Sequence, residues 1–203
     1  MDAVTGSPRR HIIHPRHVRI THWINALATL MMIGSGWQIY NASPLFGFTF
    51  PKAITLGGWL AGGLLWHFAA MWLLIVNGAV YVTLGLVTGR FRQRFLPILP
   101  AEVVHDLWAA LTGRLSPRDL GRYNAVQKLF YAGVLLTGIV AVASGFALWK
   151  PVQLRELASL FGGYEGARLV HFFAMSAIVG FLVVHLVMTF LVPKSLRAMI
   201  RGS

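Results

Sequence analysis

Cysteine is absent from the 203-residue sequence, which excludes disulfide frameworks, zinc knuckles, iron–sulfur clusters and covalent attachment of a c-type haem. Charge is scarce too. Asp, Glu, Lys and Arg make up 12% of the chain, about half the share of an ordinary soluble domain. Acidic residues are the rarest of these: the six are Asp2, Glu102, Asp106, Asp119, Glu156 and Glu165, all outside the long apolar stretches. A metal site or proton relay built on carboxylates within those stretches is thereby excluded. What remains is 56% hydrophobic and points to lipid. The formal charge of +12 sits at the edges of apolar runs, not in one basic patch interleaved with aromatics. It reads as a membrane-orientation signal, and no nucleic-acid partner is expected.

The expected fold class is an all-α membrane protein, a single domain over residues 1–203 built as a four-transmembrane-helix bundle. Apolar runs place the spans at about 20–40, 57–86, 129–149 and 169–192, each long enough to cross a hydrocarbon core of about 30 Å at about 1.5 Å per residue. The charge-free interval from Lys52 to Arg90 invites two short spans. Its first third is Gly-rich and no polar turn divides it, so one long span is expected. The first apolar segment is too long for a signal-peptide core, lacks a small-residue cleavage site, and is expected to remain as a helix.

Lys and Arg set the orientation: four precede the first span, seven lie from Arg90 to Lys128, and three follow Pro193. Facing these fourteen are only Lys52, Lys150, Arg155 and Arg168. The imbalance puts both termini in the cytoplasm of a bacterial inner membrane. Between spans two and three, Pro100 to Gly113 sets Val103, Val104, Leu107, Trp108 and Leu111 opposite Glu102, His105 and Asp106. This amphipathic helix is expected along the cytoplasmic face, packed under the bundle. No internal repeat or low-complexity tract is evident.

Four of the eight histidines fall in or at spans: His22, His67, His171 and His185. An ionisable residue there is costly unless it finds a partner. His171 and His185 are 14 residues apart, close to four whole turns, so they share a helix face with an axial separation of about 21 Å. That distance places them towards opposite sides of one bilayer core. Span one runs outward, which levels His22 with His185. Span two runs inward, which levels His67 with His171. The second match is imperfect: counted from Gly57, His67 lies about 15 Å into its helix, whereas His171 comes only a few residues after Arg168. Tilt, or a span that begins beyond the apolar core, accounts for such an offset. Neutral imidazoles at matched depths without acidic partners suit haem iron, which makes these four the candidate metal ligands of two b haems. Two axial imidazoles leave no open position, favouring electron transfer over chemistry at the metal. His11, His14, His17 and His105 are expected to be solvated.

Near the ligands, Gly34, Gly36, Gly133, Gly138, Gly145 and Gly180 either make room for a flat macrocycle or let helices pack closely. Arg19 and Asn25, three residues either side of His22, are candidate cofactor-binding residues of the inner site, and Arg168, three before His171, of the outer one. The arginines fit propionate partners or snorkelling residues equally well.

The segment Arg19-Ile20-Thr21-His22-Trp23-Ile24-Asn25-Ala26, the pair Trp66-His67, the run Arg122-Tyr123-Asn124-Ala125-Val126-Gln127-Lys128 and the spacing of His171 and His185 resemble the bacterial cytochrome b561 and nickel–iron hydrogenase b-type cytochrome family. That family also includes membrane subunits of formate dehydrogenase and thiosulfate reductase. The resemblance covers nearly the whole chain and implies two b haems, ligated first span to late fourth span and second span to early fourth span. It further implies a redox partner subunit on the periplasmic side, with a molybdenum, nickel–iron or similar centre, and exchange with a quinone, ubiquinone or menaquinone. Two other readings stay open: a stand-alone quinone-linked oxidoreductase, superoxide-oxidase-like, of the same family, and a haem-free transporter or scaffold. The cytoplasmic end near His22 and the outer rim near Trp149 are both candidate quinone positions.

Overall fold

The computed structural model describes residues 14–95, 97–112 and 124–202. Within them every regular element is a helix. In chain order these are α1 (Arg16–Ala42), α2 (Leu60–Val87), α3 (Arg90–Phe95), α4 (Pro100–Leu111), α5 (Ala125–Trp149), α6 (Arg155–Leu160), α7 (Gly163–Leu191) and α8 (Pro193–Arg201), with one 3-10 turn at Lys52–Ile54. By length and composition α2, α5 and α7 can each cross a membrane. They expose Leu65, Leu86, Leu136, Ile139 and Phe190 outward, as a lipid-facing surface requires. The 27 residues of α1 span about 40 Å. Thr21, His22, Asn25, Ser35 and Gln38 make α1 more polar than those three.

Helix boundaries depart from the apolar runs for local reasons. Gly57 and Gly58 have φ of +112° and +73°, in the left-handed region where an α-helix cannot run, so α2 starts at Leu60. At the other extreme, α7 begins six residues before the expected 169, within the polar turn Gly163-Tyr164-Glu165-Gly166. Glu165 lies in that first turn, where the partial positive charge of the helix end favours a carboxylate. The start of α5 is set by a capping box: Asn124 Oδ1 accepts the Gln127 N–H at 2.7 Å and Gln127 Oε1 accepts the Asn124 N–H at 3.1 Å. Arg122 and Tyr123 of the same motif lie outside the described residues.

The long helices associate as two pairs, α1 with α2 and α5 with α7, and hardly any Cα of one pair comes within 8 Å of the other. Small residues allow the close approach inside each pair. A Cβ on Gly63 of α2 would stand only 3.0 Å from Gln38 Cγ of α1. Ala147, Ala158 and Ala167 are buried together where α5, α6 and α7 meet. Asn77, buried in α2, donates to the Thr21 carbonyl and to Asn25 Oδ1 of α1, both at 2.7 Å. In α4 the polar edge faces the bundle: Asp106 Oδ2 accepts the Ala125 N–H at 2.8 Å, while Val104, Leu107 and Trp108 are exposed. The expected packing under the bundle is thus made by a carboxylate that caps α5, and the apolar face of α4 turns outward. Gly113 at the end of that segment lies outside the described residues.

Interhelical hydrogen bonds in a membrane are worth about 0.6–2 kcal/mol each. Asn77→Leu, which removes two, should therefore lower unfolding stability in detergent by about 1–4 kcal/mol. Thermal denaturation of the purified variant against wild type measures this.

Candidate functional site

The four span histidines form two facing pairs. His22 of α1 and His185 of α7 have ring centroids 6.1 Å apart with planes at 52°; His67 of α2 and His171 of α7 are 6.3 Å apart at 71°. No hydrogen bond joins the two rings of either pair among the described residues. The spacing suits something held between them. A metal–imidazole bond is about 2 Å and the bonded nitrogen lies about 1.1 Å from its ring centre, so two rings on opposite sides of one metal have centroids about 6.3 Å apart.

Helix bounds remove the depth offset seen along the sequence. His67 is seven residues into α2 and His171 eight into α7, or about 10 and 12 Å from their helix starts. His22 is six residues into α1 and His185 six from the end of α7, about 9 Å each. The apolar runs had misplaced both helix starts at the outer end.

The hydrogen bonds of the outer pair fix its tautomer. His171 Nδ1 lies 2.9 Å from the Ala141 carbonyl and 3.1 Å from Ser144 Oγ. A carbonyl can only accept, so Nδ1 carries the proton and Nε2 keeps the lone pair that a metal needs. Ser144 directs its own proton back to the Val140 carbonyl at 2.7 Å. His67 Nδ1 lies 3.0 Å from Ser35 Oγ, whose hydroxyl donates to the Met31 carbonyl at 2.6 Å. A glycine follows each serine: a Cβ on Gly36 would stand 3.5 Å from His67 Cε1, and one on Gly145 3.2 Å from His171 Cε1. These two glycines make room for the imidazoles. Gly34 instead packs on Leu56, while a Cβ on Gly133, Gly138 or Gly180 would meet only open space.

The inner pair is supported differently. His22 Nδ1 is buried without a hydrogen-bond partner, and its ring stands edge-on to Trp23 at 5.2 Å. His185 lies near-parallel to Phe181 at 5.8 Å. Arg19 donates through Nη2 to the Ile200 carbonyl of α8, and its Nε is buried without a partner. Asn25 faces Asn77 through its oxygen. At the outer end Arg168 pairs with Glu165 at 3.0 Å and donates to the Ser43 carbonyl at 2.7 Å, strapping α7 to the α1–α2 connection.

Among the remaining histidines, His17 and His105 are exposed as expected. His14 is 8% exposed, against the expected solvation, because the chain at Gly202 returns over the start of α1 and meets the His14 carbonyl and Arg19. His11 lies outside the described residues. An open recess between α4 and α5, about 520 Å³, is bordered by Glu102, His105, Asp106 and Lys128; none of the four facing histidines lines it. Residues that the sequence did not single out are Ser35, Ser144 and Asn77. Their available signals were a Ser-Gly dipeptide at 35–36 and again at 144–145, and a lone Asn in an apolar run.

Together, apolar helices long enough to cross a membrane and two pairs of facing imidazoles define a multi-pass membrane protein with polar rings set between its helices. Comparison with known proteins gives the particular class. The model of the prokaryotic cytochrome b561 family matches residues 13–202, and the chain belongs to that family. It is 52% identical over 192 residues, 95% of this chain and 97% of the relative, to the "Putative protein-methionine-sulfoxide reductase subunit YedZ1" of Azospira oryzae. No solved structure matches. Family membership makes the protein an integral membrane protein of electron transfer with b-type haem.

The two glycines separate clearance from simple packing. A 3.2 Å approach requires His171 to shift, whereas 3.5 Å is ordinary contact. Gly145→Ala should purify with reduced haem content and Gly36→Ala with near wild-type content, by pyridine haemochrome assay per mole of protein.

Proposed function

We propose that the chain is a di-haem cytochrome b of the bacterial inner membrane that carries electrons between the quinone pool and a partner redox subunit. The observation that carries this is the arrangement on α7: two histidines 14 residues apart, each facing a histidine of α1 or α2 at 6.1 or 6.3 Å. His22 and His185 would hold the inner haem, and His67 and His171 the outer one. Bound haem b supplies reversible one-electron chemistry. The residues fit that group: the outer imidazoles present Nε2 across the space, and small residues clear their rings. Arg19, with its Nε buried and unpaired, offers a donor for an acidic propionate at the inner site. Asn25 holds the α1–α2 pair at the depth of His22. Arg168 steadies the outer rim and neutralises acidic groups there.

In this reading α1 is the fourth span. Ile20, Trp23, Leu27 and Leu30 are all exposed along one stripe, which lipid covers, while its polar residues turn towards α2 and the facing histidine. The fourteen-to-four division of Lys and Arg places both termini in the cytoplasm, with α4 laying its exposed Val104, Leu107 and Trp108 into the interface.

The name of the Azospira relative supports a catalytic partner of one kind. The electrons go to a periplasmic subunit that reduces methionine sulfoxide in proteins, and quinol, ubiquinol or menaquinol, supplies them. Two imidazoles facing each other at each site suit this role, since a haem held by both would carry electrons and leave no ligand position for oxygen.

Haem counting on purified variants tests the ligand assignment. Wild type should hold two haems per chain. His22→Ala or His185→Ala should keep only the outer haem, His67→Ala or His171→Ala only the inner one, and each should lose one step in an optical redox titration. Loss of both haems from all four variants, or retention of both, overturns the pairing. Affinity purification from gently solubilised membranes should bring down the catalytic subunit. A protein that purifies alone and passes electrons from quinol to a small oxidant at full rate excludes the partner.

A further inference from the structure

The same local device occurs twice, once in each helix pair, and among the described residues it is found at the outer histidines alone. On α1, Ser35 is fully buried and followed by Gly36; on α5, Ser144 is fully buried and followed by Gly145. Each serine folds its proton back onto its own helix, to Met31 or Val140. Its oxygen is therefore left to accept, and it lies 3.0 or 3.1 Å from Nδ1 of the histidine on the paired helix, sharing the His171 proton with the Ala141 carbonyl at 2.9 Å. The glycine then lets the ring come close. Ser176 of α7 provides the contrast: it bonds back to the Phe172 carbonyl at 2.8 Å and is hydrogen-bonded to no histidine. The inner pair has nothing comparable, for His22 Nδ1 is buried and unpaired.

We propose that Ser35 and Ser144 are positioning residues that hold the Nδ1–H of His67 and His171 and thereby lower the reduction potential of the outer haem selectively. The inference rests on the two-haem reading above. An acceptor at Nδ1–H pushes electron density towards Nε2, makes the imidazole a more basic ligand and favours the oxidised metal. It also fixes the ring's rotation about its own axis, which sets the angle between the two ligand planes. A serine present only for helix packing would do neither.

The test uses the full chain with its haems, purified in detergent, followed by optical redox titration and low-temperature EPR of the ferric state. Ser35→Ala and Ser144→Ala should each move one midpoint upward and shift one low-spin signal. The affected step should be the one that His67→Ala and His171→Ala abolish. The double variant should move it further, and Ser176→Ala should move neither. Where alanine expels the outer haem, Ser35→Cys and Ser144→Cys, similar in size but weaker acceptors, should retain it with an intermediate upward shift. Midpoints and EPR signals unchanged in the alanine variants, or in the cysteine variants when alanine loses haem, overturn the inference. A shift confined to the inner step does the same. A wild-type protein with a single redox step ends the two-haem reading instead, so the two failures are told apart.

Discussion

An imidazole in hydrocarbon has two nitrogens and little water to satisfy them, and the architecture follows from how each is used. At His171 the Nδ1 proton is shared between the Ala141 carbonyl and Ser144 Oγ, which leaves one lone pair facing another ring 6.3 Å away. That separation is too wide for a hydrogen bond between rings and suits a shared metal. An unpaired polar group costs several kcal/mol in an apolar medium, and at His67 and His171 an acceptor on the paired helix supports the Nδ1 side of the ring. The helices close tightly within each pair, and the two pairs stand apart from one another where the rings face.

Small residues make both conditions compatible. Within a pair, Gly63 and the Ala147–Ala158–Ala167 cluster bring helices together, and Asn77 locks α1 to α2 by two polar contacts. Between the pairs, the rings reach across because Gly36 and Gly145 leave them space. At the two ends, different straps hold the assembly. Arg168 ties α7 to the α1–α2 connection at one end, and Arg19 ties α1 to α8 at the other. The aromatic side chains Tyr40, Phe46, Phe48 and Phe172 pack around the outer strap, with neighbouring centroids 5.2–6.5 Å apart. The connection is thereby packed against α7 at Phe172.

The all-helical class and the His171–His185 face were legible because they depend on periodicity alone, which any α-helix obeys. Helix starts were not, since they are decided by polar residues beyond the apolar run: a capping box at Asn124, left-handed glycines at 57 and 58, and Glu165 in the first turn of α7. Counting hydrophobic residues measures the lipid-facing length and misses the turns outside it. His14 was misjudged for a related reason: its burial comes from the far end of the chain, nearly 190 residues away.

The amino-acid order by itself determined that four imidazoles lie in or at apolar runs that contain no carboxylate, and that two of them share one face about 21 Å apart. These are one-dimensional facts, set by spacing along a regular helix. Only the tertiary structure decided which groups support the rings. Ser35 meets His67 and Ser144 meets His171 across sequence separations of 32 and 27 residues, and a hydroxyl's partner depends on the rotation of one helix about its axis relative to the next. That rotation is fixed by side-chain packing between helices, which no single helix's sequence pattern contains.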